Sequence, residues 1–239
     1  MKLQFKHQSF QRDAARAVIE VFRGQPLQDA FAYSTDLAKD KLQLQLHGFR
    51  NHEIELSDEE LTRNIREVQH GQDLKPIEHV LRDDNDTLAL SIEMETGTGK
   101  TYTYIKTMYE LHKHYGWTKF IVVVPSVAIR EGVIKSLETM GDHFAEEYGE
   151  RMQYFVYDSS RLTSIDQFAS DSKIHVMEIN TQAFNATGAD ARRISMHLED
   201  FAWRRPIDVI AETRPILIID EPQSVLGADR NNKTRLGLK

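Results

Sequence analysis

The sequence predicts an α/β fold with a mainly parallel sheet and helices on both of its faces. Five short apolar runs, rich in Val, Ile and Leu, are separated by segments with helical spacing; they occupy residues 88–92, 120–124, 152–157, 174–179 and 216–219. Continuous apolar runs are typical of parallel strands that are buried on both faces. A glycine-rich loop also follows the first run, at the place where an α/β sheet binds ligands.

The first predicted element is an amphipathic helix. Apolar side chains share one helical face at Phe10, Ala14, Ala17, Val18 and Val21. Ser9 is placed to cap this helix and Gly24 to end it. Residues 25–56 then show no clear period.

A second helix is predicted by the capping-box pattern Ser57-Asp58-Glu59-Glu60, and it extends to about Gln69. The polar cluster 82–86 predicts a turn immediately before the first strand. After the strand at 120–124, Val133, Ile134 and Leu137 mark a helix that ends near Gly141.

The segment Met94-Glu95-Thr96-Gly97-Thr98-Gly99-Lys100-Thr101 predicts a loop that binds phosphate. Glycines let successive backbone N–H groups point inward, and the helix that follows directs the positive end of its dipole at an anion. In such a loop Lys100 reaches the outer phosphates and the Thr101 hydroxyl binds Mg²⁺. Met94 stands where the broad consensus has glycine, and a tight turn with two glycines is the alternative.

A pair of carboxylates, Asp220 and Glu221, comes directly after the last apolar run. Asp220 is predicted to hold Mg²⁺ through water, and Glu221 to activate the attacking water. The alternative is an exposed acidic turn. Pro222 lacks an N–H, so it ends the strand. Together with the phosphate loop, the pair predicts a site that hydrolyses a nucleotide.

Composition sets broad limits. Hydrophobic residues make up 40% of the 239 residues and charged residues 28%, which is ordinary for a globular protein. The absence of cysteine excludes disulfides and thiol catalysis, and together with an N-terminus that does not resemble a signal peptide it predicts a cytoplasmic protein. A net charge of −7 argues weakly against a protein that simply coats nucleic acid.

The phosphate loop and the box Asp220-Glu221-Pro222-Gln223 together resemble the first motor domain of superfamily two helicases and translocases. The form of the box is similar to that of the restriction (Res) subunit of type III restriction–modification enzymes, as are segments 10–14, 154–159 and 179–184. This resemblance implies a RecA-like P-loop NTPase domain that uses ATP and Mg²⁺ and acts on double-stranded DNA. The implied ATP-binding residues are Gln11, Gly97, Thr98, Gly99, Lys100 and Thr101.

Within this resemblance Gln11 reads the adenine edge, with a solvated helix residue as the alternative. Ser126 with Arg130, and Thr181 with Gln182, match two motifs that contact the nucleic-acid backbone. A helix N-terminus after a strand can bind a phosphate, although an ordinary helix cap explains Ser126 equally well.

The resemblance implies a helical lead-in at residues 1–86 and an ATPase core at 87–239. It also implies partners, namely a modification methyltransferase (Mod) subunit and, on a longer chain, a second motor domain and a nuclease domain. Few residues follow Gln223, so we expect the arginine of a second motor domain to be missing and turnover by this chain alone to be low. Such an arginine contributes a factor of roughly 10³–10⁵ to hydrolysis in related enzymes.

Other functions are compatible with parts of these patterns. A type I restriction motor or a repair helicase shares the loop and the box, and a truncated non-catalytic module would bind DNA or a partner alone. A metabolic kinase fits less well because the acidic box directly follows a strand. Trp203 could stack on a base, but a core-facing aromatic on a helix is the favoured interpretation.

Overall fold

The computed structural model of this protein describes residues 5, 8–36, 45–80, 82, 87–184 and 193–225. The described residues fall into two compact units, one drawn from residues 1–29 and 53–116 and the other from residues 30–52 and 117–239. The polar cluster predicted to form a turn at 82–86 lies mostly outside the described residues. Within the described part of the chain, every helix is too short or too polar to cross a bilayer.

The first unit is built from three helices: α1 (Ser9–Val21), α2 (Asp58–Gly71) and α3 (Lys100–Tyr115). Helix α1 packs against both of the others. Its buried face carries Gln11, Ala15 and Ile19, whereas Phe10 is exposed. Of the predicted apolar face, Val21 is confirmed as buried and Phe10 was wrong, while the three residues between them are only partly buried. The most buried face instead carries a glutamine and a small residue, because the helix turns these toward its neighbours. The helix starts one residue earlier than predicted, with Gln8 at its N-cap instead of Ser9.

The capping box of α2 is confirmed. The Ser57 hydroxyl accepts a hydrogen bond from the Glu60 N–H, and the Glu60 carboxylate accepts one from the Ser57 N–H at 2.9 Å. The N–H groups of Ser57 and Glu60 have no acceptor within the helix, so each is satisfied by the side chain of the other residue.

The strand predicted at 88–92 is not formed. The described residues of this segment make only an isolated bridge, Arg82 to Leu88, and Leu90 and Ile92 are 41% and 50% exposed. An apolar run indicates that a segment can be a strand, but a strand also needs a neighbour to hydrogen-bond with. The local pattern contains no information about that neighbour.

The second unit contains a four-stranded parallel sheet and an antiparallel hairpin. The sheet has the order β4-β5-β3-β6, and the hairpin pairs β1 with β2. The strands are β1 (Phe31–Asp36), β2 (Gln45–Arg50), β3 (Lys119–Val124), β4 (Gln153–Val156), β5 (His175–Asn180) and β6 (Ile216–Ile219). Four of the five predicted runs are thus confirmed as strands of one parallel sheet.

Helices cover both faces of this sheet. They are α4 (Val127–Tyr148), α5 (Thr163–Ser170) and α6 (Pro206–Glu212). The short α7 (Pro222–Val225) follows β6 and is largely exposed. Alternate side chains of β3 and β5 join α5 and α6 in one apolar core, while α4 contacts the same two strands. The predicted α/β fold, with a parallel sheet between helices, is confirmed.

Helix α4 is longer than predicted. It runs through Gly141 and ends at Gly149, which has φ +76° and donates its N–H to the Ala145 carbonyl at 2.9 Å. A glycine inside a helix costs only about 1 kcal/mol, and Phe144, buried beyond Gly141, continues the apolar face. The left-handed conformation that ends the helix is adopted at Gly149 and not at Gly141.

Asn51 joins three backbone segments at the start of the sheet. Its side chain donates to the carbonyls of Lys119 (2.8 Å) and Arg214 (3.1 Å), and accepts from the N–H groups of Thr118 (2.8 Å) and Lys119 (3.0 Å). Its own N–H donates to the Thr213 carbonyl. One buried amide therefore satisfies backbone groups at the start of β3 and just before β6.

Trp203 is 66% exposed and lies in a turn instead of a helix. It has φ +58° and follows Ala202 at φ +53°, so two successive residues adopt the left-handed conformation. The core-facing interpretation of Trp203 was wrong, because its side chain is exposed to solvent.

A buried pair of basic residues lies where β3 and β5 begin. Lys119 and His175 stand in register, and the Lys119 ammonium donates to the carbonyl of Phe168 at 2.6 Å and to that of Asp171. Burial lowers the pKa of Lys119 to about 8 and that of His175 to about 4. The His175 ring contacts the rings of Phe155 and Phe168.

We expect His175 to make the protein sensitive to acid. The pKa of His175 is 6.5 in the unfolded state and about 4 in the folded state. The free energy of unfolding is therefore highest above pH 6.5 and falls as the pH drops toward 4, because the unfolded state binds the proton first. His175→Phe should lose that dependence, which we expect to be on the order of 1–3 kcal/mol in urea unfolding. The exposed His197→Gln is the control, and equal pH profiles for His175→Phe and the unsubstituted protein would contradict the prediction.

Candidate functional site

The predicted phosphate loop ends at the first residue of α3. Gly97 and Gly99 have φ +80° and +88°, the left-handed region that favours glycine. Gly99 is the N-cap of α3, and no side chain caps this helix start. The first amides of α3 have no partners within their helix, so they and the helix dipole favour an anion there.

Gln11 contacts the loop directly. Its side-chain amide donates to the Thr98 carbonyl at 2.8 Å, across 87 residues of sequence. A Cβ at Gly99 would lie 2.4 Å from the Gln11 Nε2 atom. A larger residue at position 99 would therefore collide with Gln11 in addition to adopting a strained φ.

The loop is also held from within. Thr98 donates its hydroxyl to the Glu95 carbonyl at 2.6 Å, and Gly99 accepts the N–H of Thr103 at 3.0 Å. A Cβ at Gly97 would meet nothing within 4 Å, so the loop is open at this position. Fixed glycines, an open surface and a helix start without a side-chain cap fit the phosphates of a nucleotide.

The acidic box follows β6 in the second unit. The Asp220 N–H donates to the Val123 carbonyl at 3.0 Å and so continues the pairing with β3. Glu221 has φ +53°, a conformation that is uncommon for a residue with a side chain and often marks a functional site. Pro222 begins α7 and so ends the strand region as predicted. The Gln223 amide donates to the Glu221 carboxylate.

Three predicted residues come together at the carboxyl edge of the sheet. Ser126, Thr181 and Asp220 follow β3, β5 and β6, which are neighbours in the order β5-β3-β6. Parallel strands end on the same side, and open α/β sheets bind ligands at that edge. Ser126, Thr181 and Asp220 therefore lie at the same edge of the sheet, each after one of three adjacent strands.

The two predicted backbone-contact motifs have ordinary local structure. The Ser126 hydroxyl accepts from the Ile129 N–H at 3.4 Å at the start of α4, and Arg130 lies in the first turn. Thr181 and Gln182 begin a 3₁₀ turn, Thr181–Phe184, whose Ala183 N–H is capped by the Asn180 side chain. These contacts are compatible with helix caps as well as with DNA binding.

Glu178 is a candidate that the sequence interpretation missed. It lies in the middle of β5, only 1% exposed, and neither carboxylate oxygen has a hydrogen-bond partner among the described residues. The signal available in the sequence was a single acidic residue inside the apolar run 174–179.

Comparisons with known proteins agree with these motifs. The family model for the type III restriction enzyme, res subunit, matches residues 6–222. The EcoPI Res subunit of Escherichia phage P1 is 30% identical over 212 residues, which cover 81% of this chain and 21% of that protein. The EcoP15I Res subunit of Escherichia coli is 32% identical over 190 residues, covering 72% of this chain and 19% of that protein. This chain therefore spans about a fifth of the length of these relatives.

Proposed function

This chain belongs to the type III restriction enzyme Res subunit family, and on that premise we propose that it is an ATP-binding and ATP-hydrolysing motor domain that acts on double-stranded DNA. The family is helicase-like. The observation that carries the proposal is the phosphate loop, with Gly97 and Gly99 at positive φ and Gln11 bonded to the loop backbone.

In this proposal the loop and the start of α3 bind the ATP phosphates, with Lys100 at the outer phosphates. Gln11 holds the loop and, by the family resemblance, also contacts the adenine. Thr101 is the proposed ligand of Mg²⁺ and Asp220 is proposed to hold the ion through water; when bound, Mg²⁺ offsets the negative charge of the phosphates. Glu221 is proposed to orient the attacking water and take its proton.

Replacing Glu221 by Gln tests this role. We expect Glu221→Gln to bind ATP as the unsubstituted protein does but to lower single-turnover hydrolysis by roughly 10²–10⁴-fold, because the amide cannot accept a proton. The exposed Glu212→Gln, which lies on α6, is the control. Unchanged hydrolysis by Glu221→Gln would remove the general base from the proposal.

DNA binding is proposed for the edge that carries Ser126, Arg130, Thr181 and Gln182. Binding of a short DNA duplex should weaken as salt rises, because phosphate contacts release counterions, and it should change when ATP is added. Indifference to both salt and nucleotide would remove DNA from the proposal.

The larger assembly is also part of the proposal. We propose that this chain acts together with a Mod subunit, a second motor domain and a nuclease domain, because it resembles Res subunits.

A further inference from the structure

The buried carboxyl of Glu178 lies on the side of the sheet opposite the α5–α6 core. Met177 and Ile179, its neighbours along β5, both belong to that core, and side chains alternate along a strand. On the adjacent strands, Val122 and Val156 stand in register with Glu178 and bring no charge. Helix α4 contacts β5 and β3 and supplies the charged neighbours.

Those charged neighbours are Arg130 and Glu131, in the first turns of α4. Burial raises the pKa of the Glu178 carboxyl to about 8, Arg130 acts in the opposite direction, and Glu131 adds to the rise. At neutral pH Glu178 is therefore mainly a neutral acid, since an ionised carboxylate away from water is costly without a partner.

The Arg130 guanidinium has one end at the surface and one atom buried in the interior. Its Nη2 atom pairs with the Glu131 carboxylate at 3.0 Å, and the Glu131 side chain is 64% exposed. Its Nε atom is buried and has no hydrogen-bond partner among the described residues. A guanidinium has donors on both edges, so the buried Nε of Arg130 lacks an acceptor, while neither carboxyl oxygen of Glu178 has a hydrogen-bond partner among the described residues.

We propose that Glu178 is a positioning residue for Arg130: as a neutral acid it leaves the guanidinium at the first turn of α4 for a DNA phosphate, and as a carboxylate it draws the guanidinium inward. This inference rests on the proposed DNA contact of Arg130. Ionisation releases the carboxyl proton to solvent and leaves a buried negative charge, which an arginine can neutralise with two parallel hydrogen bonds. The Arg130 guanidinium cannot make all of its hydrogen bonds to a DNA phosphate and to the Glu178 carboxylate at the same time.

The first test follows Arg130 without DNA. The ¹⁵Nε resonance of Arg130, assigned with Arg130→Lys, should shift with a midpoint near pH 8 in the unsubstituted protein. The shift should be absent in Glu178→Gln, which remains neutral at every pH. A resonance that does not titrate, or that titrates equally in both proteins, overturns the inference.

The second test measures DNA affinity by fluorescence anisotropy with a labelled duplex at constant ionic strength. Affinity should fall by about three- to tenfold between about pH 7 and pH 9, as one phosphate contact is withdrawn. The DNA affinity of Glu178→Gln should stay at its neutral-pH value over this whole pH range, so the fall should be absent. A parallel fall in Glu178→Gln would come from other groups and would overturn the inference.

Arg130→Ala separates this inference from the proposed function. It should bind DNA weakly at every pH, and adding Glu178→Gln to it should change nothing further. If Arg130→Ala binds DNA as tightly as the unsubstituted protein, the proposed DNA contact itself fails. If Arg130→Ala weakens binding while Glu178→Gln keeps the pH dependence, only the role of Glu178 fails. The resonance titration of the unsubstituted protein remains decisive if Glu178→Gln does not fold.

Discussion

Lys100→Ala should strongly weaken ATP binding while leaving the protein folded. Lys100 is the first residue of α3, directly after Gly99, so in the proposed site its ammonium serves the outer phosphates. Losing a charge-assisted contact of this kind should weaken binding by roughly 10- to 100-fold. Hydrolysis should be lost as well, because the same charge stabilises the phosphates in the transition state.

The measurement is titration with a fluorescent ATP analogue in the presence of Mg²⁺, with circular dichroism to confirm folding. Lys113→Ala is the matched control, since Lys113 is exposed in the last turn of the same helix. If Lys100→Ala binds ATP normally, residues 94–101 are only a tight turn. If the unsubstituted protein also fails to bind nucleotide, the chain is better explained as a non-catalytic module.

Asn51→Leu should destabilise the protein more than any surface substitution. Leucine has a similar volume, but it leaves the buried N–H groups of Thr118 and Lys119 and two carbonyls without their partner. Each buried polar group that loses its hydrogen bond costs about 1–3 kcal/mol. We expect a loss of on the order of 3–5 kcal/mol in the free energy of unfolding.

Urea denaturation followed by circular dichroism measures this loss. Gln167→Leu is the control, because Gln167 is an exposed amide on α5. Asn51→Asp adds a second comparison: it keeps an acceptor for the two N–H groups but removes the donor to the carbonyls of Lys119 and Arg214. A loss below about 1 kcal/mol for Asn51→Leu would show that the surrounding backbone finds other partners.

Much of the second unit could be predicted from sequence. The runs at 120–124, 152–157, 174–179 and 216–219 all became strands of one parallel sheet. Of these strands, β3 and β5 are buried, whereas β4 and β6 are only partly buried. Segment 88–92 is also apolar but forms only an isolated bridge at Leu88. A local pattern does not show whether a pairing partner is available. Helix ends were less predictable, since Gly141 lies inside α4 and Gly149 ends it.

The site was partly predictable for a related reason. Motif spacing was enough to identify the family and to single out residues 94–101 and 220–223 as candidates, but the roles of all candidate site residues, from Gln11 to Glu221, remain predictions. The structure adds that Gln11 holds the loop through Thr98. It also places Ser126, Thr181 and Asp220 at adjacent strand ends.

By itself, the sequence determined the chemistry available to this protein: which residues form the loop and the acidic box, and which runs are apolar enough for a sheet. Only the tertiary structure decided that Gln11 faces the loop, that Glu178 is buried near Arg130 and that Trp203 is exposed. The reason is physical. Residue type and periodicity are local properties, whereas burial and hydrogen-bond partners depend on segments that are distant in sequence, as far apart as Gln11 and Thr98.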